Sequence, residues 1–182
     1  NGEIIGIEGK TSFNSYAFII SCFILKKDFT ILLDLDLEEK ERRLSSISNF
    51  RTSLIDPENL QINYKTSNLE YLIENLKNYL KKNKKESTLY MFSSGSTGVP
   101  KVISINQNKF LNNYTFSLKN KTRKILLLLL IDHIGGLNTV LSTFSSFDTL
   151  VLPKSKDCDD VLEILKKSEA EILPGSPTFL NI

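Results

Sequence analysis

No tryptophan occurs in these 182 residues, and there is one histidine (His133), one methionine (Met91) and two cysteines (Cys22 and Cys158). Each scarcity closes a class of function. Two cysteines far apart in sequence, one inside an apolar run, make neither a disulfide framework nor a metal knuckle, so reduced, cytoplasmic chemistry is the expectation. A single histidine without a cysteine cluster is a poor zinc site, and no metal ligand is assigned from the sequence. Without a Gly-x-Ser-x-Gly elbow, that histidine has no serine nucleophile to serve. Neither sign of charge is in excess: 23 Lys and Arg face 21 Asp and Glu, a net +2. A general binder of phosphate backbones carries a clear surplus of basic residues, so nucleic acid is not an expected partner. The longest apolar runs, residues 16–25 and 125–131, fall well short of the ~20 residues that cross a bilayer. No basic leader precedes a hydrophobic stretch. Because the only methionine is at position 91, the chain is expected to be part of a longer protein, although its length also suits one domain that buries roughly 70% of its unfolded surface.

What is present is an alternation of short apolar runs with amphipathic stretches, the pattern of a sheet with helical crossovers. The expected class is α/β, a layered and largely parallel sheet flanked by helices. Strands are predicted over residues 4–7, 29–33, 60–64, 88–92, 101–105, 149–152 and 171–173. Residues 124–131 are wholly apolar after the first, as in a strand covered on both faces. Helices are predicted over residues 13–25, 38–48, 107–118, 137–147 and 157–167, and Leu69, Leu72, Ile73, Leu76 and Leu80 make one helical stripe. Lysines at 81, 82, 84 and 85 follow that stripe. They read as a solvated helix end that complements the dipole, in preference to a polyphosphate patch.

One stretch carries chemistry: Ser93, Ser94, Gly95, Ser96, Thr97, Gly98, Val99, Pro100 and Lys101, between two predicted strands. Glycines allow backbone conformations that turn amides toward an anion, and the hydroxyls add donors. Pro100 stiffens the exit, and Lys101 supplies a point charge. A plain hairpin turn needs one or two such residues, so six in a row point to a loop that holds phosphate oxygens. The Walker pattern is not met, because the lysine comes three residues after the second glycine and leads into a strand. Gly9, Lys10 and Thr11 end like a Walker motif but lack its first glycine, and they read as a turn and helix start. A P-loop kinase built on them is the lesser alternative.

Residues 94–101 resemble the phosphate-binding signature of the adenylate-forming superfamily, which includes acyl-CoA synthetases, peptide-synthetase adenylation domains and luciferases. The order of further segments is similar: residues 16–35 ending in Leu32, Leu33 and Asp34, then Ile131 to Asn138 with Asp132 and His133, then Leu173 to Leu180. Val102 departs from the pattern, standing where relatives often have glycine. The resemblance implies that residues 1–182 are a partial N-terminal, AMP-binding domain without the C-terminal domain, which alone turns over nothing. It implies a ligase that joins a small carboxylic acid to AMP from Mg2+-bound ATP and passes the acyl group to the thiol of CoA or of a carrier protein. Ser93, Ser94, Gly95, Ser96, Thr97, Gly98 and Lys101 would hold the phosphates, with Lys101 the catalytic charge. His133, Gly135 and Gly136 would face the substrate. For His133 an ordinary hydrogen-bonded role weighs evenly against this, and the two glycines equally suit a strand-to-helix turn. Asp132 is flagged because amino-acid-activating relatives place an acid nearby. The rival from another class is a nucleotide-binding or interaction module that keeps the loop without catalysis.

Overall fold

The computed structural model describes residues 3–47, 50–60, 69–93, 99–117 and 121–176, with only the backbone for residues 69–73 and 80. The chain divides into two compact units, Asn1–Asn112 and Asn113–Ile182.

In the first unit the apolar runs become strands. Glu3–Gly9 (β1), Phe29–Leu33 (β2), Arg51–Ile55 (β3), Thr88–Ser93 (β4) and Lys101–Asn106 (β5) form one sheet in the order β3-β1-β2-β4-β5. The first four are parallel, with Ile7 level with Ile31 and Ile55, and β5 runs antiparallel to β4. All five residues of β2 are buried, as expected of a central strand covered on both faces. Among the described residues the α-helices Phe13–Ile24 (α1), Leu37–Ser46 (α2), Leu69–Lys82 (α3) and the short Gln107–Leu111 (α4) accompany the sheet.

Sequence accounts for the ends of these elements. Ser12 caps α1 by accepting a hydrogen bond from the Ser15 amide at 3.2 Å. Gly9 precedes it at φ 98°, with an Asp56 carboxylate oxygen only 2.6 Å from where a Cβ would stand, so the predicted turn and helix start at residues 9–11 is what forms. Tyr16, Ile19, Ile20 and Phe23 bury one face of α1 at helical spacing, and Phe23 meets Phe29 of β2 edge-on with ring centroids 5.0 Å apart. Asp36 caps α2, Glu38 and Glu39 occupy its first turn, and Arg43 stands near its end. Arg43 bonds Glu39 at 2.8 Å and lies 5.3 Å from the ring centroid of Phe92 on β4. Phe92, Ile4, Leu32 and Ile47 form the core beneath α2, joined by Leu35, Leu44, Tyr90 and Val102.

The second unit holds Lys124–Leu126 (β6), Ile134–Ser145 (α5), Thr149–Val151 (β7) and Cys158–Ser168 (α6). β6 and β7 pair in parallel, and Leu126, Leu128 and Val161 form a separate core with Val151, Ile164, Leu165, Ala170 and Leu173 against it. Arg123 clasps Asp148 with Nε at 3.2 Å and Nη2 at 2.8 Å, while the Arg123 amide donates to the other carboxylate oxygen at 2.9 Å. The carboxylate of Asp148 is fully buried. This clasp fixes the register at which β6 and β7 begin.

Four expectations change. The helix over 107–118 stops at Leu111, because Asn112 and Asn113 have side chains that compete for backbone hydrogen bonds and favour turns. The apolar run 124–131 is a strand for three residues only, since its partner β7 is equally short; its continuous hydrophobicity reflects burial of residues 125–128 rather than strand length. Residues 171–173 reduce to one bridge between Ile172 and Ile125. β3 was not anticipated, while the strand over 60–64 lies, apart from Leu60, outside the described residues. The α/β class with a largely parallel sheet stands.

Candidate functional site

β4 ends at Ser93 and β5 begins at Lys101, and the antiparallel register sets these two residues opposite each other. The Ser/Gly/Thr segment therefore connects a hairpin. Seven residues, 94–100, bridge the two strands, whereas ordinary hairpin loops take about 2–5. Ser94, Gly95, Ser96, Thr97 and Gly98 lie outside the described residues. The exit of the loop is anchored: Pro100 is buried, its carbonyl accepts from the Ser46 hydroxyl of α2 at 3.2 Å, and Val102 packs against the core around Phe92. Valine at 102, a departure from the expected glycine, thus joins the exit to the core. Lys101 is exposed, and among the described residues no carboxylate lies within ion-pairing distance of it. An ammonium without a carboxylate partner among the described residues, next in sequence to a segment rich in hydroxyls and glycine, suits an incoming anion.

The second group of predicted residues gathers at the start of α5. His133 occupies the N-cap position without capping through its side chain, and its backbone carbonyl accepts from the Leu137 amide at 3.0 Å. Its imidazole is 61% exposed, and Nε2 stands 3.9 Å from a carboxylate oxygen of Asp132, which is 8% exposed. Gly135 and Gly136 belong to the first turn of α5, inside the helix rather than in a turn before it. The two do different things. A Cβ at Gly136 would stand 2.1 Å from the carbonyl oxygen of Leu130 and 2.5 Å from its carbon, so only glycine lets the helix pack on that backbone. Among the described residues, a Cβ at Gly135 would meet Leu129 Cδ1 at an ordinary 3.4 Å.

His133, Gly135 and Gly136 line a cavity of about 260 Å³ together with residues 128–130, Gly175 and Ser176. The leucines make it apolar, and the polar contributions come from His133, Ser176 and the amides of the first turn of α5, whose positive dipole end favours negative charge. The third segment singled out in the sequence, beginning at Leu173, thus meets the second at this cavity. Gly175, Ser176 and residues 128–130 were not assigned roles from sequence, because only the folded chain places them across from α5. Asn138, one turn further on, accepts a hydrogen bond from the Tyr114 hydroxyl. Gly9, Lys10 and Thr11, the alternative phosphate site, are engaged otherwise: the Thr11 amide and hydroxyl both donate to the Asp34 carboxylate, and Ser12 and Asn14 donate to Glu58. Carboxylates at that turn oppose a bound phosphate.

Among the described residues no group of three or more His, Cys, Asp or Glu side chains is placed to hold a metal ion, and no helix is long and apolar enough to cross a membrane. Cys22 is buried and Cys158 exposed, both as free thiols.

A family model described as AMP-binding enzyme matches residues 22–182. No curated protein sequence matches the chain closely enough to count as a relative. Among solved structures, o-succinylbenzoate CoA synthetase (MenE) from Bacillus subtilis, bound to its acyl-adenylate intermediate, superimposes with a TM-score of 0.65 at 18% identity, over 100% of this chain and 51% of that one. The same synthetase has been solved with ATP and a magnesium ion. The N-terminal domain of FACL13 from Mycobacterium tuberculosis gives 0.68 at 16% identity, over 100% and 51%. A luciferase-like enzyme from the mealworm Zophobas morio gives 0.63 at 16%, over 98% and 48%. The chain therefore spans about half the length of these structures, and the likeness at such identities is one of fold.

Proposed function

Since the chain belongs to the AMP-binding enzyme family, we propose that its residues serve ATP-dependent activation of a carboxylic acid to an acyl-adenylate, followed by transfer of the acyl group to the thiol of CoA or of a carrier protein. In this reading residues 1–182 correspond to an N-terminal portion of the catalytic domain, acting with further segments of the protein. The observation that carries it is the register that sets Ser93 of β4 opposite Lys101 of β5, with seven residues rich in hydroxyls and glycine between them in sequence and, among the described residues, no carboxylate within ion-pairing distance of Lys101.

The chemistry follows from charge. A carboxylate oxygen forms a bond to the α-phosphorus, the bond to the bridging oxygen breaks, and pyrophosphate leaves with the electron pair. Negative charge builds on the departing β- and γ-phosphates, so donors fixed in advance around them stabilise the transition state more than the ground state. Residues 93–98 supply amides and hydroxyls for those oxygens, and Lys101 supplies the cation. Its strand start at the core-anchored exit limits the reorganisation needed to place that charge. Mg2+ would enter on the ATP phosphates and offset their charge; no described residue is assigned to it.

The cavity beside α5 suits the acyl group, with the carboxylate near the first-turn amides and His133 in the lining. Asp132, buried and outside the lining of this cavity, is not given a role in substrate contact. The direct test is trapping: full-length protein with ATP, a panel of fatty, aryl and amino acids, and hydroxylamine should form an acyl hydroxamate from at least one acid. Binding of ATP without hydroxamate from any acid would instead support the non-catalytic module.

A further inference from the structure

Two adjacent glycines in α5 are used in opposite ways, and the difference bears on what the cavity admits. Gly136 is committed to the protein's own packing, its missing side chain replaced by the Leu130 carbonyl. Among the described residues Gly135 has no such neighbour: its hypothetical Cβ meets the far end of Leu129, a side chain that itself lines the cavity. Room at Gly135 is therefore room in the cavity. The remaining lining is apolar along residues 128–130 and, among the described residues, includes no Asp, Glu, Lys or Arg. A volume of about 260 Å³ also lies just below the ~300–1,000 Å³ typical of sites for drug-sized ligands.

We infer that Gly135 determines how large an acyl group this protein accepts, and that the preferred substrate is a small, uncharged, apolar carboxylic acid. This rests on the reading of the cavity as the acyl site. A methyl at 135 takes up space where the acyl chain would lie, and it does so without displacing backbone. A charged side chain or an α-ammonium on the substrate would lose its hydration against leucine walls with no described counter-charge in the lining. The feature is one of size and polarity, distinct from the phosphate chemistry at Ser93 and Lys101.

The experiment is ATP–pyrophosphate exchange by the full-length protein with straight-chain acids from acetate to dodecanoate, alongside glycine, lysine and glutamate, for wild type, Gly135→Ala and Gly135→Val. The expected wild-type preference is an uncharged short or medium chain. For the longest acid that wild type uses well, Gly135→Ala should lower kcat/KM about tenfold or more, within the ~10–200-fold that one methylene is worth in an apolar pocket. The shortest acid should keep most of its rate, and Gly135→Val should move the preference further in the same direction. A loss equal for all chain lengths, or an unchanged preference, overturns the role of Gly135. A charged amino acid as the best substrate overturns the apolar assignment. Exchange with no acid at all in wild type overturns the proposed function itself, a separate failure. Should Gly135→Val fail to fold by circular dichroism, Gly135→Ala decides alone, since its methyl has space.

Discussion

Gly136→Ala tests the packing of α5 in the most quantitative way the molecule offers. The new methyl would begin 2.1 Å from the Leu130 carbonyl oxygen, and real Cβ atoms essentially never approach closer than 3.0 Å, so helix and connection must part by about 0.9 Å. The obstacle is backbone at residues 130 and 131 rather than a side-chain tip that can swing aside. Overpacking of this kind costs ~1–3 kcal/mol, and rigid backbone puts the site in the upper part of that range. Alanine returns up to ~1 kcal/mol over glycine as a helix former, less so in a first turn. The net expectation is a loss of about 2 kcal/mol. Gly135→Ala has the same propensity gain without the clash, and should be neutral or stabilising by up to ~1 kcal/mol. Adjacent alanines thus differ by about 2–3 kcal/mol, which for a chain of this size is a gap of roughly 4–12 °C in Tm. Thermal and urea unfolding followed by circular dichroism read this directly. Equal stability of the two variants would refute the close approach of α5 to Leu130.

Three further expectations concern other parts of the molecule. Asp148→Ala leaves the Arg123 guanidinium without its partner and frees the start of both strands; because that arginine is partly exposed, the loss should be about 1–3 kcal/mol, below the ~3–5 of a fully buried pair, and denaturant unfolding measures it. Burial pushes the Cys22 thiol up from 9.0 to about 12, while Cys158 is exposed, so a thiol reagent at pH 8 should label Cys158 quickly and Cys22 only after unfolding. The same shift sets a pH dependence. The folded chain holds the Cys22 proton more tightly than the unfolded one, so this stability is complete below about pH 9 and is lost as pH rises toward 12, with a slope no steeper than about 1.4 kcal/mol per pH unit; Cys22→Ala should flatten that slope, and urea titrations between pH 8 and 11 would show it.

How much of this was legible in the sequence depended on whether a residue's partners are local. β2 was readable to the residue from Phe29 to Leu33, because a strand covered on both faces is apolar at every position. α6 was readable from acids at Asp159 and Asp160 and lysines at 166 and 167, which complement the dipole within one turn of each end. The run at 124–131 misled because uninterrupted hydrophobicity records burial and not hydrogen-bond partners, and the partner β7 is only three residues long. β3 was missed because an edge strand of mixed polarity, Arg51 to Ile55, carries no strong alternation. At the candidate site, the two strands that flank the Ser/Gly/Thr segment were placed correctly. The unequal duties of Gly135 and Gly136 could not be read in advance, since both are simply glycine until the Leu130 carbonyl is seen beside one of them.

The central claim is that the hairpin between β4 and β5 serves acyl-adenylate formation, with Lys101 meeting the departing phosphates. ATP–pyrophosphate exchange by the full-length protein, with and without carboxylic acids, compared between wild type and Lys101→Ala, tests it most directly. The account predicts acid-dependent exchange in wild type and a fall of about 10²–10³-fold in Lys101→Ala with the fold intact by circular dichroism. Exchange in Lys101→Ala equal to that of wild type would contradict it.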